Sequence, residues 1–199
     1  MIRLDPVFCD GCVLPVQRQT VIFGTADRDG DVTCTLYRGG EQLRQGAGKI
    51  ENGQLRAVFT DPLEPAEGLT LTVEAPAGRA VVNDVCAGLV FLAGGQSNME
   101  LALCNAEGGA EEVRTHDDPG LRWFMVPRES RIDRALAARE HDRWQCVTPG
   151  GCGEMSAVAY FFARRVRQET GMPMGIIGCY WGGTSIAAWI REDTLERLP

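Results

Sequence analysis

The chain has 199 residues, 44% hydrophobic and 24% charged, with a formal net charge of −7. That length holds one large domain or two small ones around a sizeable core. The 20 basic residues are scattered without interleaved aromatics, which argues against a nucleic-acid partner, and no apolar run has the length needed to span a bilayer, which argues against a membrane.

The start, Met1 to Pro6, has no apolar signal core, which points to the cytoplasm, or to secretion if a signal peptide has been removed. Eight cysteines are many for a cytosolic protein and too sparse for a disulfide scaffold. Cys9 and Cys12 form a C-x-x-C, but no second pair exists and the two histidines, His116 and His141, are distant in sequence, so no metal and no cofactor is expected. Cys34, Cys86 and Cys179 sit in apolar runs and read as small buried hydrophobes.

From Val7 to about Pro76 the pattern is short strands, at Thr20 to Gly24, Val32 to Tyr37, Leu55 to Thr60 and Leu69 to Glu74. Turns are expected at Asp27-Arg28-Asp29-Gly30, Arg38-Gly39-Gly40, Glu51-Asn52-Gly53 and Pro65-Ala66-Glu67-Gly68. The expectation is a small β-sandwich domain over residues 1–78 with a structural or accessory role. A carbohydrate-binding module is the alternative, although the platform of exposed aromatics it calls for is not evident.

From Arg79 onward strands alternate with helices, which implies an α/β domain with a parallel sheet over residues 79–199. Val85 to Ala93 is the first strand. It breaks at Gly94-Gly95 and continues as Gln96-Ser97-Asn98-Met99-Glu100 into a helix running to about Ala106. A serine on such a strand-turn-helix presents its hydroxyl above the sheet, and free backbone N–H groups at the helix start stabilise negative charge beside it. Ser97 is therefore a candidate nucleophile and oxyanion donor; its alternative role is an N-cap. Gly95-Gln96-Ser97-Asn98-Met99 lacks the second glycine of G-x-S-x-G, against an α/β-hydrolase elbow.

Glu107 to Arg114 reads as an acidic, solvated face, and Leu121 to Val126 as a second strand. His116-Asp117-Asp118-Pro119 reads as turn chemistry, and His141, among charges, as solvent-facing. Glu154 to Thr170 is a helix, with Met155, Val158, Ala159, Phe162 and Val166 as its apolar stripe and Gly171 as its C-cap. Met174 to Tyr180 is a buried strand, followed by Trp181-Gly182-Gly183 and a helix from about Thr184 to Leu198. In a parallel sheet the carboxyl ends of the strands share one edge, so Gly182 and Gly183 are expected in the crevice of Ser97. Gln96, Asn98 and Trp181 are candidate pocket residues; Trp181 and Trp189 either wall the pocket or pack in the core.

The run GGQSNME resembles the nucleophile block of the SGNH-type serine esterases, in particular the sialate O-acetylesterase family. Gly175-Ile176-Ile177 with Tyr180-Trp181-Gly182-Gly183-Thr184 to Trp189 is similar to that family's G-L-I and S-W-G-G-T-P-I-E-A-W segment. Phe8-Cys9-Asp10-Gly11-Cys12-Val13-Leu14 is similar to its F-x-D-x-x-V-L-Q, and Ser156 to Phe162 to its F-S-A-V-A-Y-F-F helix. The resemblance implies a flavodoxin-like SGNH sheet and O-acetyl hydrolysis on a sugar or glycan through an acetyl-enzyme on Ser97. It also implies that Gly182 or Gly183 supplies the second oxyanion donor beside the Ser97 amide. The family's late D-x-x-H-P and W-Y-Q-G-E-x-N blocks are not found in these residues. The chain is therefore expected to be the amino-terminal part of the esterase, inactive alone, and completed by a missing carboxyl-terminal segment or a second chain. Ala187 stands where the family often has Glu, and Gly178-Cys179-Tyr180 replaces small polar residues, so substrate choice is expected to differ. The alternative reading is a non-catalytic carbohydrate-binding or scaffold fragment.

Overall fold

The first half of the chain folds through short turns that its glycines allow. Gly39 and Gly40 have φ of 57° and 88°, and Asn52-Gly53 has 52° and 75°, the left-handed pair that a two-residue hairpin turn demands. The Asp29 carboxylate accepts hydrogen bonds from the N–H groups of Asn52 and Gly53, both at 3.0 Å, which fastens one turn against another. The structure, a computed structural model, describes residues 1–16, 18–128 and 143–197.

These turns connect β1 (Ile2–Leu4), β2 (Val13–Pro15), β3 (Thr20–Ala26), β4 (Gly30–Arg38), β5 (Glu41–Glu51), β6 (Gln54–Phe59), β7 (Ala66–Ala75) and β8 (Gly78–Gly95). Hydrogen bonding is antiparallel along β1-β3-β6-β5-β4-β7-β8, with β2 added in parallel to β8. Ile22, Leu36, Ile50, Leu55, Phe59, Leu71 and Val85 are each 2% exposed or less and belong to one apolar cluster with Trp144. Strands from the whole order contribute to that core, so the sheet curls around it. The bonding order along these strands is unbroken, and the two separate sheets of the expected β-sandwich are not shown.

The short strands β1 and β2 are additional to the sequence expectation, and two larger features also differ from it. Strand β5 is additional: its sequence is polar and carries two glycines, a poor strand pattern. Its glycines serve close pairing, since a Cβ on Gly48 would lie 1.9 Å from the Arg56 carbonyl oxygen. The expected turn at Pro65 to Gly68 instead opens β7, and Gly68 (φ 66°) sits where the register against β8 shifts between Ala66 and Leu69, as in a β-bulge.

Strand β8 begins at Gly78, where the expected division between domains falls, and serves both parts of the fold. Its first stretch pairs with β7, and Leu89 to Gly95 pairs in parallel with β11 (Met174–Tyr180). β11 pairs in parallel with β9 (Asp118–Met125), and β9 carries the short antiparallel β10 (Gln145–Val147). The result is a mixed α/β architecture with a parallel centre. Arg122 of β9 is 6% exposed and bonds the carbonyls of Gly11 at 3.0 Å and Asp84 at 2.5 Å and the Asp84 carboxylate at 3.0 Å, stitching β9 to the first sheet.

The helices are shorter than the sequence suggests. After β8 only Ser97–Glu100 (α1) is α-helical, followed by a 3-10 turn at Leu103–Asn105. The Leu103 N–H and the Leu101 carbonyl bond Met155 and Ala157 instead, so backbone pairing with a distant segment ends the helix. α2 is Gly109–Thr115, and α3 is Ala157–Thr170, with Ser156 as N-cap accepting from the Ala159 N–H at 3.2 Å and Gly171 (φ 66°) as C-cap. The buried face of α3 is Ala157, Ala159, Tyr160 and Ala163, whereas Val158 and Phe162 of the expected stripe are 49% and 45% exposed. The final stretch is a 3-10 turn, Ile186–Trp189, and a short α4, Glu192–Leu195, in place of one helix; Leu198 lies outside the described residues. Among the described residues no helix is long and apolar enough to cross a membrane.

Candidate active site

Parallel pairing brings the two glycine-rich turns together. Tyr180 is in register with Gly95, and the Trp181 N–H donates to the Gly95 carbonyl at 3.0 Å, so both turns start from one rung of the sheet. Ser97, exposed, stands at the start of α1. A Cβ on Gly182 would lie 3.6 Å from the Ser97 Cα, which places the Trp181-Gly182-Gly183 turn beside the serine. With only four residues, α1 contributes little macrodipole, so individual N–H groups carry the local positive potential.

The side chains around Ser97 are tied across this seam. The Ser97 hydroxyl is 3.4 Å from the Gln96 side-chain oxygen, and Gln96 Nε2 donates to the Thr184 carbonyl, also at 3.4 Å. The Thr184 hydroxyl donates to the Trp181 carbonyl at 2.7 Å and accepts from Trp189 Nε1 at 2.9 Å. Trp181 and Trp189 are 37% and 39% exposed; they stand on the rim and are not core residues. Asn98 is exposed beside Ser97.

The two glycines are not equivalent. The Gly182 N–H donates to the Glu100 carboxylate, whose other oxygen is paired with Arg128. Gly183 has φ of 79° with open space where a Cβ would stand. The N–H groups of Gly183 and Ser97 have no acceptor among the described residues. Of the two glycines in the sequence reading, Gly183 keeps a free donor and Gly182 does not. Glu100, Trp123, Met125, Arg128, Glu154 and Tyr180 line an adjoining cleft of about 510 Å³. Tyr180 is 5% exposed, and burial raises its hydroxyl pKa, so it remains a protonated phenol in the wall of that cleft.

Other candidates lie elsewhere. His116 precedes β9, whose Leu121 is level with Met174 and Leu89, while Ser97 lies past Gly95 at the far end of the same strands. That separates them by roughly 20 Å of strand. His116 Nδ1 is bonded to the Tyr160 hydroxyl, which also donates to Glu112 at 2.6 Å. Glu112, expected on a solvated face, pairs in addition with Arg164 at 2.5 Å. His141 lies outside the described residues. No histidine among the described residues reaches Ser97. Cys12 is 1% exposed, and burial pushes its thiol well above the ordinary range, leaving it protonated at neutral pH.

No family model matches the chain. Sialate O-acetylesterase of Mus musculus is 28% identical over 188 residues, covering 88% of this chain and 35% of the relative. The Homo sapiens sialate O-acetylesterase is likewise 28% identical, with 36% of its length covered. A crystal structure of a carbohydrate acetylesterase from Xanthomonas citri superposes with a TM-score of 0.84 at 30% identity, covering 99% of this chain and 44% of that one. The chain is a homologue of the sialate O-acetylesterases. It spans about a third of the length of the sialate O-acetylesterases it matches. Within this homologue the sequence reading passed over Glu100 and Arg128. Glu100 stands three residues after Ser97, a spacing that puts both on one helical face, and this is the signal that points to it. Arg128 belongs to no motif.

Proposed function

We propose that the chain carries the nucleophile half of a serine-dependent carbohydrate O-acetylesterase acting on an acetylated sugar or glycan. The observation that supports this reading is the exposed Ser97 hydroxyl set beside the Trp181-Gly182-Gly183 turn on one edge of a parallel sheet. Ser97 Oγ attacks the acetyl carbonyl carbon while a base takes its proton, and the N–H groups of Ser97 and Gly183 receive the oxyanion. The C–O bond to the sugar then breaks, the protonated base returns its proton to the departing sugar oxygen, and an acetyl-enzyme remains. Water, deprotonated by the same base, attacks the acetyl carbonyl carbon; the bond to Ser97 Oγ breaks, the base returns its proton to Oγ, and acetate leaves.

The base is a histidine other than His116 and His141, supplied by further polypeptide or by a second chain. The test compares this 199-residue chain with a polypeptide that restores the length of the relatives, using acetyl-ester hydrolysis and fluorophosphonate labelling. The restored protein hydrolyses acetyl esters and loses that activity on Ser97→Ala, while the shorter chain is inactive. Full activity of the shorter chain overturns the assignment of the base, and activity retained by Ser97→Ala overturns the nucleophile. The distance of His116 from Ser97 favours one other reading, a non-catalytic carbohydrate-binding protein; failure of the restored protein to react with the probe selects it.

A further inference from the structure

We infer that Glu100 is a positioning residue that holds the oxyanion turn in place, an inference that rests on the esterase reading above. Its carboxylate joins the carboxyl ends of three neighbouring parallel strands. The residue itself lies in α1 after β8, one oxygen accepts from the Gly182 N–H after β11, and the other pairs with Arg128 after β9. Ser97 and Glu100 share one helical turn, so a group that fixes Glu100 also fixes the nucleophile. The glycine at 182 makes the contact possible, because a Cβ there would stand 2.5 Å from the Glu100 oxygen.

The bond decides which amide is available for catalysis. With its N–H consumed by Glu100, the Gly182 peptide is anchored, and the Gly183 N–H remains to pair with that of Ser97. A bare carboxylate so near a developing oxyanion would oppose it; Arg128 balances that charge. Glu100 therefore acts through the turn and does not touch the reacting atoms.

Two measurements test this. In the restored protein, Glu100→Ala lowers kcat for p-nitrophenyl acetate by about 100-fold, the scale of one lost oxyanion donor, with KM within about threefold. Glu100→Asp, one methylene short, behaves alike, whereas Glu100→Gln keeps an acceptor for the Gly182 N–H and recovers kcat to within about tenfold of wild type. A kcat within threefold of wild type in the alanine variant, or an effect confined to KM, overturns the inference. The second measurement does not need activity. Backbone order parameters of Gly182 and Gly183 in this chain fall from about 0.85 to below about 0.6 in Glu100→Ala and return in Glu100→Gln. Unchanged order parameters overturn the inference, while absence of Ser97-dependent hydrolysis with the order change intact overturns only the esterase reading.

Discussion

Gly182→Ala gives a graded test of how the two turns are fitted together. Gly182 does not have the positive φ of Gly183, so alanine is allowed by its backbone, and what the new Cβ meets is the Glu100 oxygen at 2.5 Å, the mobile end of a side chain. The carboxylate gives way and its bond to the Gly182 N–H is lost. A hydrogen bond to a charged group contributes about 1.5–3 kcal/mol, and the Glu100 side chain is 30% exposed, so the lower end applies, about 1.5 kcal/mol. With a urea m-value of about 2 kcal/mol/M, the midpoint falls by about 0.7 M. In the restored protein the fluorophosphonate labelling rate falls by about 100-fold, because the turn no longer presents its donor to the oxyanion. A midpoint lowered by more than about 2 M would mean that backbone, not a side chain, meets the new methyl group, and an unchanged labelling rate would mean that the turn does not serve Ser97; either result refutes the reasoning.

Two further outcomes concern the scaffold. Arg122→Met removes the donors to the Gly11 and Asp84 carbonyls and is expected to cost about 3 kcal/mol in urea unfolding, whereas Asp84→Asn, at an exposed carboxylate that the guanidinium only partly uses, costs less than about 1 kcal/mol. Equal costs would show that the ion pair, not the carbonyl contacts, holds β9 to the first sheet. Burial pushes the thiols of Cys34 and Cys86 from about 9 up to about 11. Because the folded state holds these protons more tightly than the unfolded chain, their stabilisation is complete below about pH 9 and is lost as pH rises through about 11, on the order of 2–3 kcal/mol each. The urea midpoint is expected to fall between pH 8 and pH 11, less steeply for Cys34→Ala, and parallel profiles of the two proteins would contradict this.

The parts legible in the sequence were those set by local chemistry. Alternating runs such as Val32 to Tyr37, the apolar blocks before Gly94 and before Trp181, and Gly171 after α3 each encode their element within a few residues. Less legible were features decided by partners distant in sequence. β5 is a strand because β4 and β6 flank it, despite its polar and glycine-rich sequence. The helix after Ser97 ends at Glu100 because backbone groups of Met155 and Ala157 compete for its continuation. Of the apolar stripe of α3, Met155, Ala159 and Val166 pack in the core, but Tyr160, polar at its tip, points inward to Glu112 while Val158 and Phe162 remain half exposed. Ser97, Gly182 and Gly183 were visible as glycine-framed turns, but that Gly182 spends its N–H on Glu100 follows only from the fold.

Strand β8 passes from the curled sheet into the parallel one over 18 residues without an intervening loop. There is thus no hinge at which the front of the molecule could swing relative to the serine. Any ligand that grips the first sheet presents itself to Ser97 at a fixed angle, and a protease finds no linker there to cut. The first sheet behaves as a mount for the turn that carries Ser97, and damage to either core loosens the strand that both share.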